Sequence, residues 1–233
     1  MSVFQFKYFS IHQAHSALKV GTDAMLLGAL IEPKNAIHSL DIGTGSGVLS
    51  LMVAQKNDQI RIIAIDVDSE SLKDCRDNVI NSPWADRISV FQEDILRHEP
   101  EKKYDLIFSN PPFYKNSLLS RDPRVAASKH ANQLTFNRLF QKVSQILMQK
   151  GSFWAIFPGE YDYEIIETAL LYKLKVAHQV RIEGVPKRHA RTVFEFMHEP
   201  TALTNTTLVV RDLNGNYSER YIELTKAYHD RTL

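Results

Sequence analysis

A single cysteine, Cys75, stands in the 233 residues, which excludes an internal disulfide and a cysteine-held zinc cluster and suits a cytoplasmic protein. Long apolar runs are also missing: none approaches the roughly 20 residues that span a bilayer. The opening Met1-Ser2-Val3-Phe4-Gln5-Phe6-Lys7 lacks the basic-then-apolar order of a secretory signal. Neither a membrane partner nor a metal is expected. Net charge is nearly absent at +1, so the whole chain does not read as a strongly basic nucleic-acid binder. No repeat or low-complexity linker divides it. One α/β domain over residues 1–233, with a short N-terminal arm and a monomeric state, is the simplest organisation, since two sizeable domains would not fit.

What the chain does have is an ordered series of motifs at successive strand ends. Ser39-Leu40-Asp41-Ile42 reads as a short buried strand that runs into Gly43-Thr44-Gly45-Ser46-Gly47, and the apolar Val48 to Ala54 that follows reads as a helix. Glycines permit φ > 0 and close approach by a ligand. A dinucleotide fingerprint would place its third glycine at Val48, one residue later than Gly47, which argues against NAD. A second run, Ile60 to Ile65, ends in Asp66, about 20 residues past the glycines, where an acid can bind both hydroxyls of a ribose. A third, Ile88 to Gln92, ends in Glu93-Asp94, placing Asp94 to accept from the exocyclic amine of an adenine. An acid after a strand also serves as a helix N-cap; Asp68 and Ser69 can fill that role ahead of Ser71, leaving Asp66 for a ligand.

A fourth run, Tyr104 to Phe108, leads to Asn110-Pro111-Pro112-Phe113. This tetrapeptide suits methylation of a planar nitrogen, whose lone pair is tied up in resonance and is released when acceptors pull on its N–H groups. The Asn110 side-chain oxygen and the Pro111 carbonyl are candidate acceptors, the prolines remove two backbone donors, and Phe113 offers a ring for stacking. Read alone, the same four residues also make an ordinary strand-ending turn.

The set resembles a class I S-adenosylmethionine-dependent methyltransferase that acts on amino groups. Lys19-Val20-Gly21-Thr22-Asp23-Ala24-Met25-Leu26-Leu27-Gly28-Ala29 is similar to the segment before the glycine turn in the bacterial tRNA1(Val) adenine-N6-methyltransferase family. Phe4-Gln5-Phe6-Lys7, Lys129-His130 and Tyr221-Ile222-Glu223-Leu224 extend the likeness over nearly the whole chain. The resemblance implies a Rossmann-like, mostly parallel seven-stranded sheet with helices on both faces and a C-terminal antiparallel hairpin. It also implies S-adenosylmethionine as cofactor and, as target, the adenine 3′ of the anticodon (position 37) of a tRNA. Gly43, Gly45 and Gly47 would hold the cofactor's methionine end, Asp66 its ribose and Asp94 its adenine, with Asp41 a further cofactor-site residue. Thr22 and Asp23 would close over it, Asn110 would also belong to the cofactor site, and Asn110 to Phe113 would hold the target base. Three other readings use parts of the same pattern: a guanine-N2 methyltransferase of ribosomal RNA, a glutamine-N5 methyltransferase of proteins, and a non-catalytic RNA-binding module.

Strands and helices alternate along the chain, as a parallel sheet requires. Thr135 to Leu147 has helical spacing with Gly151 as its stop, Phe153 to Phe157 is a strand, Tyr161 to Tyr172 a helix, and Lys175 to Ile182 with Thr192 to Met197 the edge hairpin. Charge is distributed unevenly. No acidic residue precedes Asp23, while Lys7 and Lys19 lie near Phe4, Phe6, Tyr8 and Phe9. Arg181 with Lys187-Arg188-His189-Ala190-Arg191 makes a second basic cluster relieved only by Glu183. Lys7, Lys19, Lys187, Arg188 and Arg191 are the candidates for RNA phosphates; a solvated charged loop explains each cluster equally well.

Overall fold

Apolar residues alternate through the central runs, so that each strand buries one set of side chains on either face of a sheet. The computed structural model describes residues 3–16, 19–111, 134–200 and 202–229. After a hairpin of β1 (Val3–Gln5) and β2 (Ser10–His12), the sheet strands are β3 (His38–Ile42), β4 (Arg61–Asp66), β5 (Ile88–Gln92), β6 (Tyr104–Ser109), β7 (Leu147–Pro158), β8 (Lys175–Glu183), β9 (His189–Met197) and β10 (Thr204–Val209). Their order is β10-β8-β9-β7-β6-β3-β4-β5. All neighbours are parallel except β9, which is antiparallel to both β7 and β8.

The helices are α1 (Thr22–Leu30), α2 (Val48–Ala54), α3 (Ser69–Ile80), α4 (Phe136–Ile146), α5 (Asp162–Leu171) and α6 (Glu219–Thr225). The first three and α6 cover one face, packing on Ile62, Ala64, Phe108, Trp154 and Ile156. Helices α4 and α5 cover the other, on Leu40, Ile42, Ile107, Phe153 and Phe157. Gly28 brings α1 close to α2: a Cβ there would meet Met52 Sδ at 2.5 Å. The arm hairpin docks through Phe6 and Phe9, both buried and stacked with ring centroids 4.3 Å apart.

Three expectations need correction. The main sheet has eight strands rather than seven, because Thr204–Val209 adds in parallel beside β8. For the same reason the β8–β9 hairpin is not the edge. Gly151 does not stop α4, whose last residue, Ile146, is followed directly by β7. Gly151 lies within β7 beside the register shift against β6, where a Cβ would come within 2.9 Å of the carbonyl oxygens of Tyr104 and Asp105. Close backbone approach, not helix termination, is what this glycine permits.

Candidate cofactor and target site

The strand order creates one crevice of a particular kind. From β3 the chain steps outward to β4 and β5, then returns to the opposite side of β3 for β6 and β7. Open α/β sheets bind ligands at the carboxyl ends of the strands where the direction of winding reverses, and here that place lies between β3 and β6. Ile42 and Ser109 are register partners on these strands, so Gly43 and Asn110 leave the sheet side by side. Adjacent strands are about 4.8 Å apart. Ser109 fixes the junction by donating its hydroxyl to the Ile42 carbonyl at 2.8 Å.

The glycine turn hangs on β4: the Gly43 and Thr44 amides both donate to the Ile65 carbonyl, at 2.9 and 3.0 Å. Gly43, Gly45 and Gly47 all have positive φ, at +71°, +55° and +84°. A Cβ at Gly43 or Gly45 would meet no atom within 4 Å, so that side of the turn is open; at Gly47 it would meet Cys75 Sγ at 2.9 Å. Burial pushes the Cys75 thiol up to about 12, with the Asp41 carboxylate adding to the effect, so this sulfur is packing and not a nucleophile.

Asp66 ends β4 and is half-buried. One carboxylate oxygen accepts from the Gly45 amide at 2.9 Å and the other from the Asp68 amide at 2.9 Å. A carboxylate offers about four acceptor sites, so two hydroxyls still fit. Asp68, not Asp66, caps α3, accepting from the Glu70 and Ser71 amides. Asp94 heads the 3-10 turn Ile95–Arg97 and accepts from the Leu96 amide through Oδ1 at 3.0 Å. Between these acids Val67 presents its side chain to solvent, 64% exposed.

Asp41 lies beneath the turn, fully buried. Thr44 Oγ1 and Ser50 Oγ both donate to its Oδ2 at 2.7 Å, while Oδ1 has no partner among the described residues. Burial is the main force on this carboxyl and raises it from 3.8 to about 6, the Ser50 and Thr44 hydroxyls opposing and Asp66 reinforcing. The folded chain therefore holds this proton more tightly than the unfolded chain. Its stabilising effect is complete below about pH 3.8 and is lost as pH rises through about 6, a swing on the order of 3 kcal/mol. Asp41→Asn is expected to exceed the parent in stability at pH 7 and to lose that lead as pH falls to 4. Urea unfolding of both proteins across this range checks it; a pH-independent difference contradicts the assignment.

Asn110 is half-buried and Pro111 buried at the end of β6; Pro112 and Phe113 lie outside the described residues, as do Lys129 and His130. Thr22, exposed, and Asp23 begin α1. Asp23 Oδ2 accepts from Arg191 Nε at 2.8 Å, which unites a residue expected to face cofactor with one expected to face RNA. Lys19 Nζ donates to the Gln13 and Ser16 carbonyls, so it staples the arm. Lys7 extends over the ring of exposed Tyr8, 5.4 Å from its centroid.

The β8–β9 loop lies on the same carboxyl-end side of the sheet. Its Arg188 amide donates to the Val185 carbonyl, closing a turn with Pro186 and Lys187 at its centre. Lys187 has φ +64°. Proline second and positive φ third define a type II turn, where glycine or asparagine is the usual third residue. No helix among the described residues is long and apolar enough to cross a membrane.

The sequence profile of the methyltransferase small domain family matches residues 9–182. A tRNA1(Val) (adenine(37)-N6)-methyltransferase of Bacteroides thetaiotaomicron is 35% identical, over 97% of this chain and 96% of its own. Proteins of the same name from Phocaeicola vulgatus and Pectobacterium carotovorum are 36% and 34% identical, over 97% of this chain and 97% and 93% of theirs. Among solved structures, a predicted O-methyltransferase of Agrobacterium tumefaciens superposes with a TM-score of 0.69 at 18% identity, covering 90% of this chain and 98% of that one. The glycopeptide N-methyltransferase MtfA complexed with S-adenosyl-L-methionine gives 0.56 at 12% identity, covering 81% and 100%. These two likenesses concern the fold.

Proposed function

The chain belongs to the methyltransferase small domain family, and from that footing we propose that it transfers a methyl group from S-adenosylmethionine to N6 of adenine 37, 3′ of the anticodon, in tRNA1(Val). The observation that carries this reading is the placement of Asn110 beside Gly43 at the point where the sheet reverses its winding. The names of relatives about one-third identical over nearly the whole chain support the choice of target.

The residues present suit the cofactor. The open side of Gly43 and Gly45 would take its methionine end, and Asp41 Oδ1, without a partner among the described residues, would answer an ammonium group. Asp66 would take the ribose hydroxyls, Asp94 the adenine amine, and Thr22 and Asp23 would cover the open flank. When bound, the cofactor supplies a methyl carried on a sulfonium sulfur. Asn110 and the Pro111 carbonyl accept the two N–H groups of the target amine, drawing electron density onto the nitrogen and aiming its lone pair at that methyl. The methylated amine would be positive and would give its proton to solvent, so Asn110 and Pro111 need only accept hydrogen bonds and hold the nitrogen in line. No strong general base is required.

Lys187 and Arg188, with Lys7 and Tyr8 of the arm, form the RNA-facing surface in this reading. Because Arg191 is tied to Asp23, changing it disturbs the start of α1 as well as any phosphate contact. Lys187 is the cleaner test. A lysine held at positive φ is strained relative to glycine by about 1 kcal/mol, so Lys187→Gly should raise stability while weakening tRNA binding. Lys173→Gly, at φ +60° beyond α5, should raise stability and leave tRNA binding alone. Melting curves and filter binding at fixed salt separate the two effects; unchanged RNA affinity in Lys187→Gly removes the loop from the interface.

The reaction itself is tested by offering labelled S-adenosylmethionine to undermodified tRNA, ribosomal RNA and protein extract. N6-methyladenosine confined to tRNA is the expected product. Label in guanine or in glutamine overturns the target, and no label in any pool overturns the activity.

A further inference from the structure

Beyond Ser71 in its first turn, helix α3 carries two further buried polar side chains that methyl transfer does not use, Asp74 and Asn78, 3% and 2% exposed. Four residues apart, they share one face of the helix. Asp74 Oδ2 accepts from the His15 amide at 2.9 Å and from both the amide and the hydroxyl of Ser16 at 2.7 Å. Asn78 accepts from the His12 amide through Oδ1 at 2.8 Å, and its Nδ2 donates to the His12 carbonyl at 2.8 Å and the Ser46 carbonyl at 2.9 Å. His12, His15 and Ser16 belong to the N-terminal arm. Ser46 stands between Gly45 and Gly47. One side-chain amide thus joins the arm strand β2 to the open glycine turn.

Other contacts make this joint stiff. Cys75, between the two polar residues, fills the space beside Gly47. The helix is capped by Asp68, whose amide is held by the same Asp66 carboxylate that holds the Gly45 amide. A shift of the turn is therefore felt by α3 at its start, at Cys75 and at Asn78. Of the groups Asn78 holds, the Ser46 carbonyl is buried, and a buried carbonyl left without a donor is destabilising.

We propose that Asn78 is a positioning residue coupling the glycine turn to the N-terminal arm, so that cofactor in the turn orders the arm and cofactor and RNA bind cooperatively. This rests on the methyltransferase reading of the turn and on the arm as part of the RNA surface. Coupling between binding sites is reciprocal: whatever factor the cofactor adds to RNA affinity, RNA adds to cofactor affinity.

The test uses the full chain with S-adenosylhomocysteine as the bound probe. In the parent, the probe should slow hydrogen exchange of the His12, His15 and Ser16 amides, and should tighten tRNA binding by about tenfold. In Asn78→Ala, confirmed as folded by circular dichroism, both responses should vanish, with KM for tRNA rising and kcat at saturation of both substrates nearly kept. Equal tRNA affinity with and without the probe in the parent overturns the coupling, as does a variant that keeps the parent's ratio. If Asn78→Ala does not fold, the two measurements on the parent decide. A parent that methylates tRNA yet shows neither response rejects this inference alone; one that neither binds the probe nor methylates RNA rejects the functional reading and the inference with it.

Discussion

Asn110→Ala should reduce methyl transfer by about a thousandfold while leaving the dissociation constant for S-adenosylmethionine within about twofold of the parent. The separation follows from where the side chain stands. Asn110 leaves β6, across the winding reversal from the glycine turn, whereas the other groups assigned to the cofactor lie on or just past β3, β4 and β5 or begin α1. Removing its oxygen takes away an acceptor whose hydrogen bond strengthens only as the amine gains positive charge, so the loss falls on turnover. Asn110→Asp retains acceptors at the same reach and should keep more activity than alanine. Pre-steady-state transfer with saturating cofactor, alongside calorimetric titration of the cofactor, gives both numbers. A variant with parental turnover would falsify the role.

Asp66→Ala should have the opposite signature, weakening cofactor binding by about a hundredfold or more with turnover at saturating cofactor largely kept. Hydrogen bonds to a charged acceptor contribute about 1.5–3 kcal/mol each, and in the proposed complex this carboxylate makes two to the ribose. It also holds the Gly45 amide, so its loss slackens the open turn. Asp66→Asn keeps part of the acceptor capacity and should lie between. Calorimetric titration across the three proteins ranks them; equal affinities would move the ribose to another residue.

How much of this was legible beforehand depended on sequence distance. The glycine turn, Asp66, Asp94 and Asn110 were readable because each follows its strand directly, and a parallel sheet brings successive strand ends to one edge. Asp68 as the α3 cap was readable from local capping chemistry. Asp74 and Asn78 were not, because their partners are 58 and 66 residues away. Nor was the Asp23–Arg191 pair, whose members are 168 residues apart. The start of strand β10, Thr204-Asn205-Thr206, is polar and lies on an edge with little burial to pattern it, so it leaves no periodic signal in the sequence. Gly151 was misread because a glycine after a helical run signals a stop as readily as it permits a close strand contact.

The most direct measurement is methylation of purified tRNA1(Val) transcripts that differ only at position 37. With adenine there, one N6-methyladenosine per tRNA should form and should map to that nucleotide. With guanine there, no methyl should be incorporated. Methylation elsewhere in the transcript, or equal incorporation into both, would contradict the proposed placement of the target amine against Asn110.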